Sequence, residues 1–285
     1  MYNKVNQMHF DKFASVLEFH QAISTRPNNG AKGLSDHSTS QDSGWAGMPY
    51  QDAENSMVTG LPEVTKQIKR ELAQFTNTLG SRKASYTINY FNGYAPNVAR
   101  AIQGHPMSMR KKVRHQIPAK TITLFYSPAV NCSYSSEDVN NAGLTTLKLV
   151  NLLESNGYKV KLVVVPFLGE SQDSKKSDTK RYTCCGITLK DFSQPLDLLK
   201  LSFPVTSVAM FRRLGFKWLE TIPGLDGDWN GYGRPLANDG KNHAMDGLKR
   251  AGYDVRNAHF IMVDDCKNAD NDPFTLAKNL GIMDK

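Results

Sequence analysis

The sequence predicts an α/β protein: a small, mainly helical N-terminal region, then a three-layer domain in which helices cover both faces of a mostly parallel sheet. Three observations carry this. Thr121 to Tyr126 and Val160 to Phe167 are β-prone and almost unbroken in apolar residues, as strands buried on both faces must be. Ser136 to Asn156, between them, has the length and periodicity of a helix, so the three segments read as a βαβ unit with the right-handed crossover such units adopt. No such alternation occurs upstream, which sets the expected division into residues 1–120, basic and mainly helical, and residues 121–285, the α/β domain.

Phe13, Val16, Leu17, Phe19 and Ile23 recur at helical spacing, so a helix is expected over Phe10 to Ile23. Residues 25–43 are rich in Asn, Gly, Ser, Asp and Lys without periodicity and read as a flexible loop. Helices are expected over Tyr50 to Thr59 and Pro62 to Thr78. Ser85 to Tyr94, where Tyr86, Ile88 and Tyr90 alternate with Thr and Asn, reads as a short strand, and Pro96 to Ile102 as a helical turn closed by Gly104 and Pro106. Met107 to Lys120 carries Arg110, Lys111, Lys112, Arg114 and His115 and reads as an exposed arm, a kind of segment that often lies on phosphates.

Beyond the βαβ unit and the lysine-rich residues 170–180, Tyr182 to Leu189 reads as a strand; the short gap before it suits an antiparallel neighbour at the sheet edge. Helices follow over Pro195 to Leu201 and Pro204 to Leu214, the second opening on proline as first turns allow. Ala258 to Val263 is the last strand, ending at Asp264-Asp265, and Pro273 to Leu280 the last helix. This order of elements is Rossmann-like.

The net charge of +8 is unevenly spread: residues 1–120 hold fifteen bases and eight acids, residues 121–285 twenty and nineteen. Between Lys66 and Lys120 stand eleven Lys and Arg residues against one acid, Glu71, with Tyr86, Tyr90, Phe91 and Tyr94 among them. Clustered cations attract phosphate, and flat rings offer stacking partners to unpaired bases. No apolar run approaches the length of a membrane span, and the N-terminal residues MYNKVNQMHF lack the features of a secretory leader, so no membrane partner and a cytoplasmic location are expected. Cys132, Cys184, Cys185 and Cys266 form no CxxC pair and are expected to be reduced, structural thiols.

In open α/β sheets ligands gather beyond the carboxyl ends of the strands, here the loops after Tyr126, Phe167 and Val263. The first of these, Ser127 to Ser133, has neither the GxGxxG nor the GxxxxGK[ST] pattern of a nucleotide-phosphate site. Asp264 and Asp265 stand where a magnesium-binding pair could, with Ser127 or Ser133 adding oxygens, although acids at strand ends more often cap the next turn. Asp226, Asp228 and Asn230 imitate the start of a calcium loop, but Ala237 occupies the place of its closing glutamate. No two of the seven histidines fall at helical ligand spacing. Catalytic residues, metal and cofactor are therefore all expected to be absent.

Several blocks resemble a family of tailed-bacteriophage and prophage proteins: Ser43-Gly44-Trp45-Ala46-Gly47, Asp52-Ala53-Glu54, Gly60-Leu61-Pro62-Glu63, Gly104 to Met109, Pro195-Leu196-Asp197 and Arg212-Arg213-Leu214-Gly215-Phe216. The resemblance spans nearly the whole chain; it implies residence in the host cytoplasm and no settled activity. The C-terminal half, with Gly143 to Gly157 preceding Tyr158 to Phe167, also resembles a von Willebrand A-like domain in its order of elements. That fold's metal-dependent adhesion site uses Asp-x-Ser-x-Ser, where this chain has Tyr126-Ser127-Pro128-Ala129-Val130, so metal-bridged adhesion is not carried over.

The expectation that follows is a non-enzymatic phage accessory protein binding nucleic acid, single-stranded DNA above duplex because rings accompany the charge and no helix-turn-helix or zinc finger is visible. Phosphate contacts are assigned to Lys69, Arg70, Arg82, Lys83, Arg100, Arg110, Lys111, Lys112 and Arg114, and stacking to Tyr86, Tyr90, Phe91 and Tyr94. A role in phage transcription or replication, with a phage polymerase or another phage protein as partner, would fit. The alternatives are a protein-interaction or virion-assembly protein whose basic surface meets an acidic partner, and a metal-dependent phosphate-processing enzyme centred on Asp264 and Asp265.

Overall fold

The unbroken apolar runs of the second half build a sheet whose central strands are buried on both faces over residues 122–127 and 162–169. The computed structural model describes residues 7–29, 44–79, 85–114, 120–173, 180–225, 229–230 and 241–283. Its strands in chain order are β1 (Gln7–Phe13), β2 (Ser85–Tyr90), β3 (Ala95–Pro96), β4 (Met109–Arg114), β5 (Thr121–Ser127), β6 (Lys159–Asp173), β7 (Lys180–Lys190), β8 (Trp229–Asn230) and β9 (Ala258–Met262). The main sheet runs β1-β7-β6-β5-β9, with β8 pairing the far end of β6. Neighbours are parallel except across β6 and β7 and across β6 and β8. The fold is of the expected α/β, Rossmann-like kind.

Alternation along each strand sends side chains into two cores. Leu124, Tyr126, Leu162, Val164, Cys185 and Ile187 join the larger one, under the helices Val16–Thr25, Tyr50–Thr59, Pro62–Leu79, Ser136–Ser155 and Leu198–Thr206. Phe125, Val163, Val165, Cys184 and Phe260 face the other way, against Ala244 and Leu248 of the helix Lys241–Arg250. Adjacent Cys184 and Cys185 thus point into opposite cores, and burial pushes the Cys184 thiol up to about 12. Pro166 has no N–H to give to a ladder; it sits where the register of β6 against β7 slips, between Val164 and Phe167.

Four expectations are corrected. Phe10 to Phe13 is strand, not helix: β1 pairs with β7 over its whole length, and the helix begins only after Ser15, whose side chain accepts from the Glu18 amide. For the same reason β7 is antiparallel to β6 but is not the sheet edge. Pro204 lies inside the helix Leu198–Thr206 rather than opening one, and Met210–Gly215 forms a wide π-type turn that runs into the short helix Phe216–Leu219. Within the arm expected over Met107 to Lys120, Met109–Arg114 is instead β4, the middle strand of a second, three-stranded sheet, while residues 115–119 lie outside the described residues. The loop expected over residues 25–43 lies largely outside the described residues, as does most of the loop from 224 to 233.

The division at residue 120 does not match the packing. Phe13, Phe19 and Ile23, then Ala53, Met57, Ile68 and Leu72, are buried in the same core as β5 and β6. Gly60, between two of these helices, has φ of 76° and lies against Leu199, where an added Cβ would stand 2.3 Å from the carbonyl oxygen. Among the described residues, only 85–114 stand apart, in the second sheet.

Two polar clusters, the first half-buried and the second buried, tie distant segments to this core. Asp11 of β1 accepts from Trp218 Nε1 at 2.8 Å and from Arg26, and His9 Nε2 lies 3.5 Å away. Burial alone would raise its pKa; the hydrogen bonds from His9, Arg26 and Trp218 overcome that and hold the carboxyl well below the usual carboxylate range. Arg212, 1 % exposed, donates to the carbonyls of Trp45, Asn131 (2.9 Å) and Tyr134 (3.1 Å), with its guanidinium 4.8 Å from the Trp45 ring centroid. Arg213, also buried, donates to Met48 O at 3.0 Å.

Two outcomes are expected. Arg212→Met strands three carbonyls and should lower the unfolding free energy by about 3 kcal/mol or more; a urea titration showing less than about 1 kcal/mol would mean that water replaces the guanidinium there. A depressed folded-state pKa contributes stability that is present above the unfolded value, about 4, and is lost as pH falls through the folded one. Asp11→Asn should therefore be less stable than the wild type at neutral pH, with the gap narrowing as unfolding is repeated below pH 4.

Candidate nucleic-acid interface

Residues 85–114 form the second sheet, in the order β2-β4-β3, with both pairings antiparallel. Its hydrogen bonds are internal among the described residues: Tyr94 N donates to Arg110 O, Asn97 N to Ser108 O and Asn97 Nδ2 to Asn89 Oδ1. None of its described side chains joins either core. To pass from β2 to β3 the chain crosses β4 closely, and Gly93 allows it: a Cβ there would stand 2.1 Å from Arg110 O.

Register sorts the charges and rings. Ile88 pairs with Lys111 and Tyr90 with Met109, whereas Thr87 pairs with Lys112 and Asn89 with Arg110. Successive residues face opposite ways, so Lys111 and Lys112 go to opposite faces. Each meets a tyrosine there: Lys111 Nζ is 4.5 Å from the Tyr90 ring centroid and Lys112 Nζ 5.6 Å from that of Tyr94. Phe91 meets Tyr90 edge-on at 5.6 Å. Phe91 and Tyr94 are 65 % and 61 % exposed, and this sheet and its connections hold six of the ten large apolar side chains exposed among the described residues. From residue 72 to residue 136 the sequence has no acid, and among the described residues no carboxylate pairs with Arg100, Arg110, Lys111 or Lys112.

The assigned residues fall into three groups. Tyr90, Phe91, Tyr94, Arg100, Arg110, Lys111 and Lys112 come together here; Tyr86 and Arg114 belong to the same sheet by register, opposite Val113 and Ser85. Lys69 and Arg70 are exposed on the helix Pro62–Leu79, whose opposite side buries Thr65, Ile68 and Leu72 in the body. Arg82 and Lys83 lie outside the described residues. Val98 and Ile102, exposed on the short helix Val98–Ile102, had not been singled out; their i,i+4 spacing was the available signal.

The loops beyond the strand ends hold side chains engaged with the fold. Asp265 accepts from the Met262 amide at 2.8 Å and pairs with Lys241. Burial first, then neighbouring Asp265, raises the Asp264 pKa. Ser127 Oγ donates to Val165 O at 3.0 Å inside the core. Among the described residues no three His, Cys, Asp or Glu side chains cluster as a metal site would need, and no helix is long and apolar enough to cross a membrane. A groove of about 490 Å³ on the body, walled by Leu17, Met57, Val58 and Leu189, includes the Asp197 and Lys200 side chains, which pair at 3.7 Å.

The pattern of one family, described as a domain of unknown function, DUF7192, matches residues 2–276. The chain belongs to the DUF7192 family. The match therefore takes in the second sheet together with the body that carries it. No curated protein and no solved structure matches the chain.

Because the second sheet makes its own hydrogen bonds, Gly93→Ala should disturb it alone. Hydrogen exchange is expected to quicken at the Tyr94 amide, which bonds Arg110 O, while Leu124 in β5 keeps its protection. Equal loss at both would show that the two sheets unfold as one.

Proposed function

We propose that this DUF7192 chain is a non-enzymatic accessory protein that binds single-stranded nucleic acid, DNA foremost, through residues 85–114, in the phage transcription or replication setting its sequence blocks suggest. The observation that carries this reading is the exposure of Phe91 and Tyr94, Tyr94 beside Lys112 and Phe91 against Tyr90, in residues 85–114, which hold no carboxylate. Aromatic rings left in water are a standing cost unless something covers them, and in an acid-free setting a base attached to a phosphate suits both ring and cation.

Spacing supports the same reading. Arg110 and Lys112 alternate with Lys111 on β4, so they repeat about every 6.8 Å on one face. That is close to the distance between successive phosphates of an extended single strand. Thr87 and Asn89 flank them with neutral hydrogen-bonding groups. The Lys111 and Lys112 ammonium groups already lie over tyrosine rings, which holds both members of each pair ready for a ligand that takes a ring and a charge together.

Fluorescence anisotropy with a labelled oligonucleotide, single-stranded and duplex, across a salt series, tests this. Tight single-strand binding with a steep salt slope is expected, and Arg110→Ala with Lys112→Ala should reduce the log–log slope by about 1 to 1.5. Phe91→Ala or Tyr94→Ala should weaken binding by about 1–3 kcal/mol where a base stacks. Absence of binding at low salt, by nuclease-treated protein, would remove the proposal and leave an acidic protein partner as the ligand of this surface.

A further inference from the structure

The short helix Val98–Ile102 presents two unlike sides. Positions 98 and 102 lie one turn apart and share a face, with Arg100 about half a turn round. Val98 is 63 % exposed and Ile102 81 %, the highest value among the large apolar side chains exposed in the described residues. Aliphatic side chains of this kind neither stack on bases nor contact phosphate, so the nucleic-acid reading leaves them without a role. They suit a protein surface.

Charge and area together identify that surface. Two free copies of this sheet, each bearing Arg100, Arg110, Lys111, Lys112 and Arg114 and no acid, repel one another. A polyanion lying along both removes the repulsion. A stable protein interface buries on the order of 1,200 Å² or more, and two aliphatic side chains on a five-residue helix supply only a fraction of it. Such a contact is too small to capture a partner from solution. It suffices when the partner is already held alongside, where the effective concentration reaches the order of millimolar.

We propose that Val98 and Ile102 form a contact between copies of this chain bound next to each other on one strand, so that binding is cooperative along single-stranded nucleic acid. The inference rests on the function proposed above. The experiment uses the full chain with two oligothymidylates, one short enough for a single copy and one long enough for several, followed by anisotropy and sedimentation velocity. The wild type should be monomeric without the oligonucleotide and should bind the long strand about tenfold or more tighter per site than the short one. Val98→Ser with Ile102→Ser should keep the short-strand affinity within about twofold while losing the long-strand gain; thermal unfolding monitors that the variant remains folded.

Equal per-site affinity of the wild type for both strands, or undiminished cooperativity in the variant, overturns the proposal. So does a dimer formed without nucleic acid, or capture of a different protein on Val98 and Ile102. Failure to bind even the short strand instead removes the function on which the inference stands, and the inference with it.

Discussion

The body of this protein is organised around a charge placed where charges are least welcome. Arg212 and Arg213 follow one another on a buried π-type turn, and Arg212 donates to three neutral carbonyls from two separate stretches of chain. A planar fork of five N–H donors in fixed directions suits three acceptors held around it. Removing it would leave those acceptors dry and unpaired, which costs more than the modest net gain of making the bonds. The turn, the segment around Trp45 and the loop after β5 are therefore fixed together or not at all. Trp45 closes the arrangement by stacking on Phe216 at 5.9 Å.

This has a bearing on the body's chemistry. The loop after β5 lies where parallel α/β sheets usually receive their ligands, and here its carbonyls at Asn131 and Tyr134 are taken by the guanidinium. Asp265, beyond β9, is tied to Lys241 and to its own helix start. The body's polar groups at that end serve its own integrity, in keeping with a rigid support. Among the described residues, the exposed large apolar side chains are concentrated in residues 85–114.

What was legible in the sequence follows physical lines. β5, β6 and β9 were readable because a strand covered on both sides needs an unbroken apolar run, whatever it pairs with. β1 was not: Gln7 to Phe13 mixes His, Asp and Lys with its apolar residues, and its reason for being a strand is β7, far away in the chain. The helix Lys241–Arg250 went unseen because its inward face consists of little more than Ala244 and Leu248. The burial of the paired arginines within MFRRLGF was not legible, since nothing local announces carbonyls supplied from elsewhere. At the candidate interface, composition alone marked the cations and rings. Only register could show that neighbouring Lys111 and Lys112 serve different faces.

The first and last strands of the second sheet begin and end side by side, with Ser85 opposite Arg114. The two ends of residues 85–114 therefore lie next to one another. Such a unit can lengthen, shorten or be replaced without reopening the core beneath it, as insertions at closely spaced points generally allow. Selection can then act on what this protein touches separately from what keeps it folded. Relatives that share the buried arginines could differ freely within residues 85–114.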